Sequence, residues 1–527
     1  MATLGVLNLT LLALGRLDLA LYTSAGGLGA LYGHGLPYRA RARTLAGVLL
    51  GTVLSTAAAL TAAALTRDAV VLVAVAAGLA ALHKLGCDAA RIGPPGSLII
   101  TFTSASCAFV PQRPADLPPH LALTALGAAL AWLVGMAPAL LRPYGPERIA
   151  TARALEAAAR LARSAPGTPD AAARTALVGA VDAARQSLAL SSPARWRALG
   201  DAPERLLVHA ESALAAPAGP AAESVTESTT ESTTESAAAA AERYTAWARD
   251  LRRGRPLPLL DLTEAEAAEL RAHRPGPRPS LRQALCPGSA LLPIGLRVAV
   301  GCAAAGWLSL AFGVGRPYWA VVTAASVFQA NSTLSWHRAL QRVLGNLIGL
   351  AVFTAVLPLA HSGQPAMIGL GLLCQFGAEA TIARSYWLAT VFVTPMALLM
   401  TEFAGLQPAR TLVADRWLDT CVGALTGLAA CLLVTNRRTA TRLSRALTGA
   451  ETATREARVA AADAAVGSEA AAVRSGLATA LLELREAADA ATGEWRRPAL
   501  PHQRTADAEQ HAHHLLAALL ERRGARP

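Results

Sequence analysis

Regularly spaced arginines beside apolar segments are the residues of this sequence best suited to bind an anion. Arg338 and Arg342 are four residues apart and therefore share one face of a helix, and Arg39 and Arg43 repeat that spacing earlier in the chain. Such a pair can hold a carboxylate through charge-assisted hydrogen bonds. The same arginines could instead anchor helices at the cytoplasmic face of a membrane, which is the commoner reason for basic residues at these positions.

Acidic side chains inside apolar sequence are candidates for carrying protons. Asp419 lies within an apolar segment and is the first such candidate, and Glu379 is the second. A structural salt bridge between Asp419 and Arg416, one helical turn away, is the alternative that the spacing favours. Arg384 follows Glu379 at the junction of two apolar segments, where it could bind a substrate or lie at the membrane surface.

A short segment that begins at Pro317 adds aromatic and hydroxyl groups to these charges. Tyr318, Trp319 and Thr323 could contact an aromatic acid, and the backbone of an interrupted helix offers free N–H groups to a carboxylate. Tryptophan and tyrosine also form belts at membrane interfaces, which is the more frequent reason for their presence there.

Motifs for enzymatic or metal chemistry do not stand out. The sequence contains no Walker A, GxSxG or HExxH motif and no CxxC pair, and His511, His513 and His514 do not share a helical face. We therefore expect no enzyme, no cofactor and no metal site. Transport, if coupled to energy, would use an ion gradient instead of ATP.

Composition places these residues in a membrane protein. The chain has 527 residues, of which 53% are hydrophobic and 16% charged, and its mean hydropathy is +0.37. The net charge of +12 could indicate nucleic-acid binding, but the arginines punctuate apolar segments and do not form one basic face, so we exclude this class.

Apolar residues concentrate in two blocks, which divide the chain into four regions. A first membrane half covers 1–141, a polar helical segment 142–289, a second membrane half 290–435 and a polar helical tail 436–527. The repeated Thr-Glu-Ser sequence at 224–236 is too polar to bury a core and is predicted to be a disordered linker. Six spans are predicted in each half, near 3–14, 17–32, 43–65, 69–86, 96–111 and 120–141, and near 291–312, 317–330, 339–360, 365–380, 386–403 and 412–435.

Ordered matches between the two halves indicate an internal duplication. Thr23 corresponds to Thr323. The other matched pairs are Gly47 with Gly345, Gly51 with Gly349, Thr124 with Thr420 and Gly127 with Gly423. Basic residues mark alternate loops, which predicts cytoplasmic termini and cytoplasmic polar segments. An even number of spans per half then gives a parallel repeat.

The second half resembles a known family. The sequence RPYWAVVTAASVFQANSTLSWHRALQRVLGNLIG at 316–349 is similar to the signature of the fusaric acid resistance and aromatic acid exporter family. YWLATVFVTPMALLM at 386–400 and RWLDTCVGALTGL at 416–428 support the resemblance, and GPPGSLIITF at 93–102 adds a weaker match. The first half departs from the pattern at 15–33, so a symmetric site is in doubt.

The resemblance implies an inner-membrane transporter that exports organic, often aromatic, carboxylates. We therefore predict an all-α plasma-membrane protein whose partners are the lipid bilayer, a small organic anion and, in an oligomer, further copies of the chain. One alternative is a membrane-anchored scaffold whose cytoplasmic helices bind a partner. A channel-like conductor of organic anions is another.

Overall fold

The computed structural model describes most of the chain as helix. Within the described residues there are no β-strands, so the predicted all-α fold class is confirmed. The described ranges are 1–93, 95–164, 171–191, 202–215, 227–255, 286, 289, 291–329, 331–382, 384–403, 408–433, 438–463, 468–492 and 502–524.

Helices follow the predicted order of apolar and polar regions. Short helical turns lie at Leu17–Leu19, Leu28–Leu31, Pro114–Asp116 and Pro138–Leu141 in the first half. The first half contains α1 (Ala2–Ala13), α2 (Ala20–Gly27), α3 (Tyr38–Leu65), α4 (Ala69–Ala89), α5 (Leu98–Ala108) and α6 (Leu117–Met136). The polar segment after it contains α7 (Gly145–Arg163), α8 (Ala171–Ala189), α9 (Ala202–Ser212) and α10 (Glu227–Arg253).

The second half and the tail repeat this alternation. The second half contains α11 (Leu292–Ala311), α12 (Tyr318–Val327), α13 (Ser332–Ala360), α14 (Gln364–Thr381), α15 (Tyr386–Glu402) and α16 (Ala409–Leu433). The tail contains α17 (Arg438–Ala462), α18 (Ser468–Thr492) and α19 (His502–Gly524).

Helix α10 corrects one detail of the predicted domain organisation. It begins at Glu227, inside the segment 224–236 that the sequence predicts as a disordered linker. The alanine-rich sequence from 237 onward favours helix strongly, and a helix that has begun extends at little cost into neighbouring residues.

Twelve helices occupy the positions of the twelve predicted spans, but their lengths differ. Among the described residues six helical segments are long and apolar enough to cross a membrane: α3, α4, α6 with its flanking turns, α11, α13 and α16. Helices α2, α5, α12 and α15 are shorter because proline or glycine interrupts them or lies beside them. Six of the predicted spans therefore coincide with helical segments that are long and apolar enough to cross a membrane.

Helices α2 and α12 lie inside the protein. Every residue of α2 except Leu21 is buried, and so is every residue of α12 except Ala325. The long helices instead expose leucines, such as Leu50 and Leu425. This arrangement is required because peptide groups at the end of a short helix cannot be left unpaired in hydrocarbon.

Glycines allow the short helices to touch their neighbours backbone to backbone. A Cβ atom on Gly127 of α6 would lie 2.1 Å from the carbonyl oxygen of Thr23 in α2. In the second half, a Cβ atom on Gly423 of α16 would lie 2.5 Å from the carbonyl oxygen of Ala320 in α12. Small residues at such contacts are typical of helices that pack in membranes.

The two halves form a continuous membrane core. Helix α11 packs on α4, α1 packs on α14, and α5 packs on α12. The rings of Phe102 and Trp319 stack across this boundary with centroids 5.4 Å apart, and Trp307 Nε1 donates to the Val70 carbonyl (3.1 Å). Aromatic side chains from both halves therefore meet beside α12.

The two polar segments, which are separate in the sequence, share one hydrophobic core. Leu155 and Leu177 of the first segment belong to the same buried cluster as Leu481 and Leu516 of the tail. We call α7–α10 with α17–α19 the polar bundle. It meets the second membrane half where Asn331 Nδ2 donates to the Asp489 carbonyl (3.1 Å).

A matched pair of glycine substitutions tests the backbone contact between α2 and α6. We expect Gly127→Ala to lower the free energy of unfolding by about 1–3 kcal/mol, because the new methyl group overpacks the contact. Gly51→Ala on α3, where no atom lies within 4 Å, should leave stability unchanged or raise it. The measurement is thermal unfolding of the purified protein in nanodiscs, and equal effects of both changes would contradict the packing.

Candidate functional site

Contacts between α12 and α16 bring aromatic and charged side chains together in the second half. Pro317 precedes α12, and Phe328 adopts an extended conformation after it, so the helix is confined to ten residues. Gly423 and Gly427 let α16 lie directly on this short helix. As a result Trp319 and Thr323 of α12 face Arg416 and the residues that follow it.

Arg416 is the most unusual side chain of the membrane core. It is 1% exposed, and its guanidinium carbon lies 3.8 Å from the centre of the Trp319 ring. None of its Nε, Nη1 and Nη2 atoms has a hydrogen-bond partner. The cation–π contact contributes about 2 kcal/mol when desolvated, but it satisfies none of the five N–H donors. Buried charges are normally paired, so this guanidinium is suited to an incoming anion.

Asp419 lies one turn further along α16 and is fully buried. Its Oδ1 accepts a hydrogen bond from Ser309 Oγ of α11 (2.5 Å), whereas its Oδ2 is buried without a partner. The salt bridge with Arg416 that the sequence favours is not formed, and the guanidinium and Oδ2 both remain without a partner. The role of Asp419 in proton coupling stays a prediction.

Other polar atoms complete a cluster around the guanidinium. The hydroxyl oxygen of Thr323 is buried and unpartnered, and Tyr318 is buried beside Trp319 with ring centroids 4.9 Å apart. We call Arg416, Trp319, Thr323 and Asp419 the Arg416 cluster. Its unpaired donors and its flat aromatic face fit a carboxylate attached to a ring.

A second cluster with an arginine lies nearer the start of α13. Arg342 is 4% exposed and its Nε lacks a partner, and Tyr386 lies beside it. The Arg338 guanidinium lies 3.8 Å from the centre of the Tyr386 ring, and its Nη2 donates to Gln329 Oε1 (3.4 Å). We call Arg338, Arg342 and Tyr386 the Arg342 cluster.

A hydrogen-bonded bridge separates the two clusters. Asn346 Nδ2 donates to Thr420 Oγ1 (2.6 Å), and Thr394 Oγ1 donates to Asn346 Oδ1 (2.9 Å). All three side chains are buried, and they connect α13, α15 and α16 at about the middle of each helix. Close packing of α15 on α13 is possible here because Gly345 and Gly349 carry no side chains.

Several predicted site residues lie away from these clusters. Arg39, Arg43 and Arg384 are exposed. Glu379 accepts hydrogen bonds from the amino group of Met1 and from Gln375 Nε2, both at 2.7 Å. The structure therefore places Arg338, Arg342, Tyr318, Trp319, Thr323 and Asp419 in or beside the clusters, and the remaining four elsewhere.

Two important residues have weak signals in the sequence. Arg416 is visible there only as a partner for Asp419, and Asn346 is not singled out at all. The available signal for Asn346 is a polar residue inside an apolar span, one turn after Arg342.

The corresponding place in the first half holds a different arrangement. His120 precedes Thr124 by four residues, as Arg416 precedes Thr420. The His120 ring stacks on Tyr22 with centroids 3.8 Å apart, its Nδ1 lies 2.8 Å from Gln112 Oε1, and Gln112 Nε2 donates to Tyr22 Oη (2.6 Å). These groups satisfy one another, so an unpaired arginine like Arg416 is not reproduced at this position.

In the part of the chain that the structure describes, no group of three or more His, Cys, Asp and Glu side chains is arranged to hold a metal ion.

The unpaired guanidinium leads to a stability prediction. We expect Arg416→Met to leave the free energy of unfolding unchanged or to raise it, because it removes a buried charge and keeps most of the side-chain volume. Arg185→Met in the polar bundle should lower it by about 1–3 kcal/mol, because Arg185 pairs with Glu211 at 2.6 Å. Thermal unfolding in nanodiscs measures both, and strong destabilisation by Arg416→Met would show a structural role for the arginine.

Comparisons with known proteins show similarity over part of the second half. Residues 303–430 match the sequence model of the family described as fusaric acid resistance protein-like, a range that contains both arginine clusters and the bridge. An uncharacterised membrane protein of Bacillus subtilis, YvaC, is 33% identical over 165 residues, which are 31% of this chain and 26% of that protein.

A second relative is an uncharacterised protein of Synechocystis, slr1298. It is 26% identical over 140 residues, which are 27% of this chain and 18% of that protein. The chain thus spans about a quarter or less of the length of these curated relatives, and no solved structure matches it. The resemblance predicted from the sequence is confirmed over 303–430, where this membrane protein is similar to the fusaric acid resistance protein-like family.

Proposed function

We propose that this protein is a secondary transporter of the plasma membrane that exports small organic, and in particular aromatic, carboxylates. The observation that carries the proposal is the guanidinium of Arg416, which is buried in the membrane core without a hydrogen-bond partner and lies on the Trp319 ring. The match of this region to a fusaric acid resistance protein-like family supports a transporter.

The chemistry around Arg416 favours an aromatic acid over other anions. A guanidinium can donate two parallel hydrogen bonds to a carboxylate, and charge-assisted bonds of this kind contribute roughly 1.5–3 kcal/mol each. Phe102, Tyr318 and Trp319 surround the position with aromatic rings, which prefer to pack against another ring. Asp419, whose Oδ2 has no partner, is the group that we assign to proton coupling.

Helix pairing supports the parallel repeat that the sequence predicts. Helix α2 packs on α6 as α12 packs on α16, and α1 packs on α14 as α11 packs on α4. One departure is that Gly47 and Gly51 face open space, while their counterparts Gly345 and Gly349 contact α15. In this proposal the two halves share a topology, and the substrate site has developed in the second half alone.

The transport test compares two arginines of α16. We expect cells without the protein to retain preloaded radiolabelled benzoate, and wild-type protein to restore its efflux. Arg416→Met should reduce the efflux rate at least tenfold, since the carboxylate loses its charged donor. Arg410→Met changes an exposed residue of the same helix and should leave the rate unchanged. Efflux by Arg416→Met at the wild-type rate, with equal protein in the membrane, would contradict the assignment.

Membrane orientation is tested by cysteine labelling. We propose cytoplasmic termini and a cytoplasmic polar bundle, because arginines cluster at that end of the spans. In a variant without native cysteines, an Arg67→Cys substitution should react with an impermeant maleimide in intact cells, because this exposed residue lies in the opposite loop. An Arg455→Cys substitution on α17 should react only after the membrane is permeabilised. The reverse pattern would invert the proposed topology.

A scaffold function is favoured by one specific observation. The polar bundle has a hydrophobic core of its own, built from both polar segments, and could present a surface to a partner. If the protein is a scaffold, cells that carry Arg416→Met should behave like wild-type cells, whereas cells without the protein should not. A channel-like conductor would instead give a steady benzoate current in a planar bilayer, which a transporter does not.

A further inference from the structure

We propose that the anion binds in turn at the Arg342 cluster and at the Arg416 cluster, and that Asn346 forms the barrier between these two sites. The inference rests on the proposed function. It assigns a role to Asn346, which is uncharged and belongs to neither cluster. In it, the bridge of Thr394, Asn346 and Thr420 must open each time an anion passes.

The helix geometry places the bridge between the two arginines. Helices α13 and α16 run antiparallel, because Ala339 of α13 lies in one buried cluster with Ala424 of α16, while Leu350 lies in another with Leu412. Arg342 is one turn before Asn346, and Arg416 is one turn before Thr420. With a rise of about 1.5 Å per residue, the two arginines lie roughly 6 Å to either side of the bridge along the helix axes.

Both sides of the bridge contain buried polar atoms without partners. On one side this is Nε of Arg342, and on the other they include all three nitrogens of Arg416. Unpaired buried donors on each side indicate that each accommodates an acceptor at some stage. A single anion that moves between the sides would satisfy them alternately.

The hydrogen bonds of the bridge can break and form again. An asparagine amide has two N–H donors, and Asn346 uses one of them for Thr420. The bridge therefore offers a carboxylate a neutral donor as it passes. Pro395 directly follows Thr394 and has no N–H for the Val391 carbonyl, which weakens α15 at the point where the bridge meets it.

Two substitutions at Asn346 should change flux in opposite directions. Both remove the same hydrogen bonds, but Asn346→Ala leaves a gap, whereas Asn346→Leu fills the space with an apolar side chain. We expect benzoate efflux from proteoliposomes to rise severalfold with Asn346→Ala, and to fall at least tenfold with Asn346→Leu. A bridge that only stabilises the fold would lower the flux in both variants.

Control variants separate the barrier from folding. Thr354→Val on α13 should leave efflux unchanged, because this hydroxyl bonds only to the Leu350 carbonyl of its own helix. If Asn346→Leu does not fold, as judged by size-exclusion chromatography, Thr394→Val and Thr420→Val each remove one bond of the bridge and should raise the flux. Unchanged flux in both of these variants would overturn the barrier.

Equilibrium binding distinguishes failure of this inference from failure of the proposed function. We expect the purified full chain to bind two benzoates, and Arg342→Met and Arg416→Met to bind one each. Asn346→Leu should still bind two, although its flux is low. If the wild-type chain binds no benzoate, both the proposed function and this inference are wrong. If benzoate binds and Asn346→Leu transports it normally, only the barrier is wrong.

Discussion

Peptide groups cannot remain unpaired in hydrocarbon, and this constraint governs how the membrane core is built. Helices α2 and α12 are too short to reach across a bilayer, so they lie inside the protein, enclosed by long helices that expose leucine to the outside. Glycines at 127 and 423 make the enclosure possible, because α6 and α16 can then touch the buried backbone directly. Short helices in turn leave room in the core for side chains that lipid would not tolerate.

The polar groups of the second half follow from this enclosure. Arg416, Asp419 and Asn346 belong to long helices whose other faces carry leucine, and they point toward α11, α12 and α15. The guanidinium of Arg416 has no hydrogen-bond partner, and Asp419, one turn away, is bonded to Ser309 through Oδ1 alone. In the first half His120, Gln112 and Tyr22 contact one another through two hydrogen bonds and a ring stack. The Nε of the buried Arg41 has no partner, so unpaired buried donors are not confined to the second half.

The polar bundle brings together two segments that are far apart in the sequence. Its core joins leucines of α7 and α8 to leucines of α18 and α19, so the segments that follow each membrane half fold against each other. The bundle touches the membrane core at Asn331, which also caps the first turn of α13 by accepting a bond from Leu334 N (2.8 Å). The helix that carries Arg338, Arg342 and Asn346 therefore begins at the contact with the bundle.

The sequence by itself determined the apolar blocks, the helical class, the positions of the helices and the region that resembles the fusaric acid resistance protein-like family. These depend on local properties, namely the length of apolar runs and the placement of proline, glycine and arginine along the chain. The spacing also identified Arg338 and Arg342 as residues on one helical face, together with the aromatic residues at 318 and 319.

Only the tertiary structure decided which charges are buried and which are paired. Arg39, Arg43 and Arg384 resemble Arg342 in the sequence, yet they are exposed. Arg416 and Asp419 have the spacing of an ion pair, yet Ser309 of another helix takes the carboxyl group. The physical reason is that burial and pairing depend on how each helix is rotated against its neighbours. That rotation is set by contacts between distant residues, such as Gly423 with Ala320, which no local pattern contains.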